Sequence, residues 1–154
     1  MPKPLCYVAS PCGFAESTRL WYRSRLLPAL RKHVRVKDPW GPVQSKLVRE
    51  IEKKPVKQRY DGWVNLGNRH YDEIAECSLL VAVLDQEPPD NGTVCEVVFA
   101  STLPIPVIAY RNDARTSGES GVPMNLMILA AIHRSGGCLT GRLSELLAEV
   151  SART

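Results

Sequence analysis

Nowhere among the 154 residues do about 18 apolar ones follow one another, the length a helix needs to cross a bilayer. The opening "MPKPLCYVAS" has too short an apolar stretch for a secretory leader, so the expectation is a protein neither exported nor membrane-spanning. No CxxC pair occurs among the five cysteines, Cys6, Cys12, Cys77, Cys95 and Cys138, and their number is odd. They read as reduced thiols of a cytoplasmic protein. Internal repeats and low-complexity tracts are missing, and nothing in the composition marks a second boundary, so residues 1–154 are expected to form one domain. A basic cluster is missing too. Twenty Lys and Arg against sixteen Asp and Glu give a net charge of +4, and between Arg19 and Arg35 the cations alternate with Leu, Trp and Tyr as on a solvated helix face. A nucleic-acid polymer is not the expected partner.

What is present is an alternation of short apolar runs and helical spacings. "LCYVA" (Leu5 to Ala9) reads as a buried strand broken by Pro11 and Gly13. A helix is expected over Ser17 to His33, a brief strand in "VRVK" before Pro39, a charged helix over Val43 to Lys53, and a further helix over Asn68 to Cys77. "LLVAVLD" (Leu79 to Asp85) is the clearest strand, and its unbroken apolar character suits a central parallel strand covered on both faces. Thr93 to Leu103 reads as a helix, "IPVIAYRND" as a strand, Ala114 to Val122 as a loop, "PMNLMILAAIH" as a helix, and "GGCLT" with "LSELLAEV" as the last strand and helix. The pattern predicts a doubly wound, flavodoxin-like (Rossmann-like) α/β fold, with a mainly parallel sheet flanked by helices. In such sheets ligands bind beyond the C-terminal ends of the strands, where "SPCGF", "DPW", "DQEPPDNGT" and "RNDARTSGESG" all fall.

The stretch "DQEPPDNGTVCEVVFA" (Asp85 to Ala100) admits two readings. Thr93-x-x-Glu96 after the Asn91-Gly92 turn has the form of a capping box, which accounts for both residues without chemistry. Alternatively, Asp90 in the loop and Glu96 in the first helical turn point into one cleft as a carboxylate pair. Retaining glycosyl transfer needs such a pair, one member to attack the anomeric carbon and one to manage protons and position the sugar.

Five blocks in order favour the second reading. "YVASPCGF" (Tyr7 to Phe14), "DPW" (Asp38 to Trp40), "LLVAVLD" with "PDNGTVCEVVFA", "PVIAYRNDAR" and "GVPMNLMI" resemble the successive motifs of the nucleoside 2-deoxyribosyltransferase family. The resemblance implies transfer of 2-deoxyribose between nucleobases, a homo-oligomer whose subunits complete one another's sites, nucleosides and nucleobases as partners, and no metal or organic cofactor. By the same resemblance Glu96 matches the nucleophile that forms a covalent deoxyribosyl-enzyme. Asp90 matches the aspartate that contacts the sugar and could pass a proton to the leaving base, and Tyr7 the tyrosine whose hydroxyl orients the glutamate. Asn125 matches the asparagine that reaches a neighbour's site, although by sequence alone it reads equally as a helix N-cap. Pro11, Gly13 and Phe14 are expected to form a base-facing loop, with Phe14 and Trp40 offering stacking surface. Asp85, Gly92 and Met127 complete the expected substrate-binding set.

The resemblance breaks at several positions. His70 stands where the family usually has a ligand-contacting Asp or Asn, so base or sugar recognition is expected to differ. Ser78 replaces an aspartate before the central strand, and Val98 replaces a glycine, where its branched side chain is expected to crowd the sheet or the pocket. Two other functions remain open. One is hydrolysis of the N-glycosidic bond of a nucleoside or its 5′-monophosphate, with Arg19, Arg111 or Arg115 as phosphate donors. The other is a nucleoside- or nucleotide-binding module without turnover.

Overall fold

The apolar runs become five strands of one sheet in a computed structural model that describes residues 2–154: β1 (Leu5–Ala9), β2 (Arg35–Lys37), β3 (Leu79–Val83), β4 (Val107–Tyr110) and β5 (Cys138–Thr140). Their order is β2-β1-β3-β4-β5, and every neighbouring pair is parallel. Parallel neighbours need crossovers, and these are supplied by α1 (Glu16–Trp21) and α2 (Leu27–Leu30), α3 (Pro42–Glu52), α4 (Tyr60–Ala75), α5 (Asn91–Ser101) and α6 (Leu126–Arg134). α7 (Leu143–Ser151) ends the chain's regular structure. Helices on both faces explain why β3 is apolar without interruption and buried at all five positions.

The pleat divides the core into two layers. Tyr7, Ala9, Leu80, Ala82, Val107 and Ala109 point one way, against Ile74 of α4, Val97 and Ala100 of α5, and Ile128 and Ile132 of α6. Cys6, Val8, Leu79, Val81 and Ile108 point the other way, against Leu26, Leu27 and Leu30 and against Leu146 and Val150 of α7. Because β1 lies between β2 and β3, the chain winds in opposite directions from the two strands β1 and β3. The crevice beyond their C-terminal ends is the switch point at which such sheets bind ligands.

Three local expectations are corrected. The helix predicted from Asn68 begins at Tyr60, so that "YDGWVNLG" is helical in spite of Gly62 and Gly67. The segment packs on α3, where Gly62 lies against Ile51, and that tertiary contact holds it more strongly than two glycines weaken it. The helix predicted over Ser17 to His33 is interrupted by a π-helical turn, Tyr22–Leu26, immediately before Pro28. A proline has no N–H to give and its ring crowds the carbonyl four residues back, which accounts for the wider turn there. Val98 does not crowd anything, being 44% exposed on the outer side of α5.

All five cysteines are free. Burial raises the Cys6 and Cys12 thiols and pushes that of Cys77 up to about 12, so none of these three is a ready thiolate. Among the described residues no helix is long and apolar enough to cross a membrane.

Candidate active site

A cavity of about 430 Å³ opens at the switch point, within the range of small-ligand sites. Five segments build it. The loop after β1 gives Ser10 and Phe14, and the loop after β2 gives Pro39 and Trp40. α3 contributes Gln44, Val48 and Glu52, spaced by four, and α4 contributes Trp63, Leu66 and His70, spaced by three and four, so each helix turns one stripe to the cavity. The fifth is the start of α5, with Asp90, Gly92, Thr93 and Glu96.

Glu96 is held from β1. Tyr7 lies fully buried in the middle of that strand, and its hydroxyl donates to Glu96 Oε1 at 2.7 Å. Burial foremost, then the adjacent Glu96 carboxylate, raises the Tyr7 phenol far above its ordinary value, so it remains a hydrogen-bond donor at every working pH. His70 closes the group, with Nδ1 at 3.1 Å from the Tyr7 oxygen and 3.7 Å from Glu96 Oε1. An ionised carboxylate only accepts, so the Tyr7 proton goes to Glu96 and the Tyr7 oxygen accepts from His70 Nδ1–H.

The capping-box reading is corrected. The N-cap of α5 is Asp90, not Thr93: Asp90 Oδ2 accepts from Thr93 N at 2.8 Å and from Thr93 Oγ1 at 3.0 Å. Glu96, three positions deeper than a capping box would allow, is bound to Tyr7 instead of to the helix backbone. Asp90 thus anchors the helix with one oxygen while its residue lines the cavity.

The other expected site residues lie as follows. Phe14 and Gly92 are at the cavity, and Phe14 meets the Trp40 ring edge to face at 4.5 Å between centroids. Pro11 and Gly13 support that wall from behind. Pro11 O accepts from Phe14 N in a tight turn, and Gly13 lies directly beneath the Trp40 indole, whose Nε1 donates to Ser10 O at 2.8 Å. A Cβ on Gly13 would stand 1.9 Å from Trp40 Cδ2. Gly13→Ala is therefore expected to push Trp40 off Ser10 and to cost about 1–3 kcal/mol, read as a fall in Tm; an unchanged Tm would contradict the contact.

Asp85, Asn125 and Met127 do not line the cavity. Asp85 Oδ1 accepts from the backbone N–H groups of Asn112 and Asp113, fastening the loop after β3 to the one after β4. Asn125 is the N-cap of α6, accepting from Met127 N at 2.9 Å, and both residues are solvent-exposed at the molecular surface. The three arginines considered as phosphate donors are occupied within the protein. Arg19 donates to Gly13 O and Phe14 O, Arg115 pairs with Asp113, and Arg111, 6% exposed, donates to Leu84 O, Gln86 O, Glu87 and Arg115 O.

Sequence reasoning missed Ser10, Gln44, Val48, Glu52, Trp63 and Leu66. Gln44 is buried and donates through Nε2 to both oxygens of Glu73, which Arg69 also holds. The helical stripe of α3 is legible in the sequence, but a stripe facing a cavity has the same spacing as one facing a core, and Trp63 and Leu66 fall in the part of α4 that the sequence did not mark as helix. Among the described residues no three His, Cys, Asp or Glu side chains gather in a way that could hold a metal ion.

Fold and cavity together define an α/β protein in which Asp90 and Glu96 line one cavity at the sheet's switch point. The family model for nucleoside 2-deoxyribosyltransferase matches residues 6–127, and the chain belongs to that family, whose members act on nucleosides and nucleobases by glycosyl transfer or hydrolysis. Solved structures share the fold end to end. A 2-desoxiribosyltransferase from Leishmania mexicana is 21% identical with a TM-score of 0.69, each chain covered to 98%. A 2-deoxyribosyltransferase from Bacillus psychrosaccharolyticus is 17% identical with a TM-score of 0.64, over 93% of this chain and 90% of that one. The CMP N-glycosidase BcmB from Clostridium botulinum is 19% identical with a TM-score of 0.54, over 97% of this chain and 99% of that one. A search of curated protein sequences finds no match.

Proposed function

We propose that the protein is a nucleoside 2-deoxyribosyltransferase that moves 2-deoxyribose between nucleobases through a covalent intermediate on Glu96, with net retention. The observation that carries the reading is the Tyr7 to Glu96 hydrogen bond at the wall of the cavity that Asp90 shares. A deoxynucleoside lacks the electron-withdrawing 2′-hydroxyl, so positive charge at C1′ is comparatively accessible in its transition state, and a carboxylate beneath C1′ stabilises it. Tyr7 aims Glu96 by binding Oε1, which leaves Oε2 for the anomeric carbon. Attack expels the first base and leaves a glycosyl ester on Glu96; a second base attacks the same carbon from the opposite face and regenerates the carboxylate. Asp90, fixed through Oδ2, supplies Oδ1 to a sugar hydroxyl, and Phe14 and Trp40 form the apolar wall against which a base packs.

The cavity's charge favours a nucleoside over its 5′-monophosphate. Glu52, Asp90 and Glu96 line it, no Lys or Arg does among the described residues, and Arg19, Arg111 and Arg115 are engaged elsewhere. Those carboxylates repel a phosphate and stabilise developing positive charge. Incubation with deoxyinosine, with and without free adenine, tests the function. New deoxyadenosine is the expected result; hypoxanthine released without an acceptor would instead make the protein a hydrolase, and binding without turnover a sensor.

Assembly belongs to the same proposal. The exposed side chains of Leu126 and Met127, 50% and 67% accessible, follow Asn125 on a surface that suits a neighbouring subunit, to whose site Asn125 would contribute. Mixing inactive Glu96→Ala and Asn125→Ala chains is then expected to restore part of the activity through hybrid sites. No restoration despite demonstrated subunit exchange would reduce Asn125 to its capping role, worth about 1 kcal/mol.

A further inference from the structure

We infer that the outer end of the cavity receives a nucleobase bearing an alkyl arm tipped with an ammonium group, and that Glu52 binds the tip; this rests on the reading of the site as one that exchanges nucleobases. The cavity extends well beyond its catalytic end. α3 and α4 run antiparallel, since Gln44 near the start of α3 meets Glu73 near the end of α4, while Ile51 near the end of α3 lies against Gly62 near the start of α4. Glu52 and Trp63 therefore share one end of the cleft between the two helices, and His70, beside Glu96, lies further along it. Trp63 and His70 are about two turns apart on α4, which is about 10 Å of helix.

With the sugar fixed at Asp90 and Glu96, a base packed on Phe14 and Trp40 fills only part of that length. The space that remains is bounded by Val48, Trp63 and Leu66, whose apolar side chains suit an alkyl chain and give no partner to a polar base edge. Its far end carries a charge. The Glu52 side chain lines the cavity, is exposed, and makes no ion pair or hydrogen bond among the described residues. Lys53 pairs with Glu50 instead, and Arg59 donates to the carbonyl oxygens of Lys54 and Glu52, not to the carboxylate. An apolar passage ending on an unpaired carboxylate is complementary to an arm that is apolar along its length and cationic at its tip. In a purine the 6-amino nitrogen lies across the rings from the nitrogen that bonds C1′. An arm on that amino group leads away from Glu96 and toward Glu52.

Competition between two acceptor bases tests the inference, with 2′-deoxyinosine as donor. The bases are N6-(2-aminoethyl)adenine and N6-propyladenine, which differ only in an ammonium against a methyl group at the tip. The native protein is expected to favour the ammonium-tipped base roughly fivefold in kcat/KM, the effect of one partly solvated ion pair, and to lose most of that preference in high salt. Glu52→Gln is expected to abolish it. Both bases compete in one tube, so a change in the folded fraction cancels. No preference in the native protein, or a preference that survives in Glu52→Gln, would overturn the assignment. Refusal of both armed bases where adenine is accepted would overturn it too, by showing the passage closed. If adenine itself receives no deoxyribose, the transfer reading falls first and this inference with it.

Discussion

Replacing Glu96 by alanine is expected to abolish deoxyribosyl transfer while the fold persists. The carboxylate is 15% exposed in its side chain, faces the cavity, and takes no part in capping α5, since Asp90 makes the cap. Its loss leaves the Tyr7 hydroxyl without its acceptor in a buried setting, which costs about 1–3 kcal/mol of stability. Activity should fall by several orders of magnitude, because without the carboxylate no group remains to bond C1′ in the first step. Glu96→Ala with turnover near the native rate and a normal melt would remove the nucleophile from the proposal.

The largest loss of stability is expected from Arg111→Ala. Arg111 is the clamp of the loop that carries Asp90 to the site: it takes the carbonyls of Leu84 and Gln86, pairs with Glu87 at 2.7 Å, and holds Arg115 O. The Glu87 side chain is 15% exposed, so the substitution leaves a mostly enclosed carboxylate and several carbonyls without partners. Breaking a buried pair in this way costs about 3–5 kcal/mol. The expected result is a large drop in the midpoint of urea unfolding, together with reduced kcat, because the α5 N-terminus loses its support. A midpoint within the error of the native protein would show that the loop is held by Asp85 and its contacts with Asn112 and Asp113.

How much of this was legible in the sequence varies by element. The inner strands β1, β3 and β4 were visible because a parallel strand covered on both faces has no polar position to obscure it, β3 being the extreme case, whereas the edge strands β2 (Arg35–Lys37) and β5 (Cys138–Thr140) were marked by the Pro and Gly that bound them. The start of α4 was hidden by Gly62 and Gly67, whose low propensity is overridden by tertiary packing. Asp90 and Glu96 stood out as two carboxylates around one turn and Tyr7 by resemblance, and the structure brings Tyr7 and Glu96 into contact from two elements 89 residues apart. The cap of α5 was misread by three residues, since Asp90 and Thr93 are both good cap types and only the backbone conformation decides between them. Gln44 and Glu52 lie on a helix the sequence marks, but whether a helix stripe faces a core or an open space depends on what stands opposite, which is not local information, and Trp63 lies in the hidden start of α4.

The central claim is a covalent bond between Glu96 and the sugar, and mass spectrometry of the protein after brief reaction with a 2′-fluoro-2′-deoxynucleoside tests it most directly. The fluorine disfavours the charge at C1′ and slows the release of the intermediate. The account predicts a gain of one fluorodeoxyribosyl mass, located by proteolysis on the peptide containing Glu96 and missing from Glu96→Ala. An adduct on another residue, or continued base release with no adduct at any time point, would contradict it.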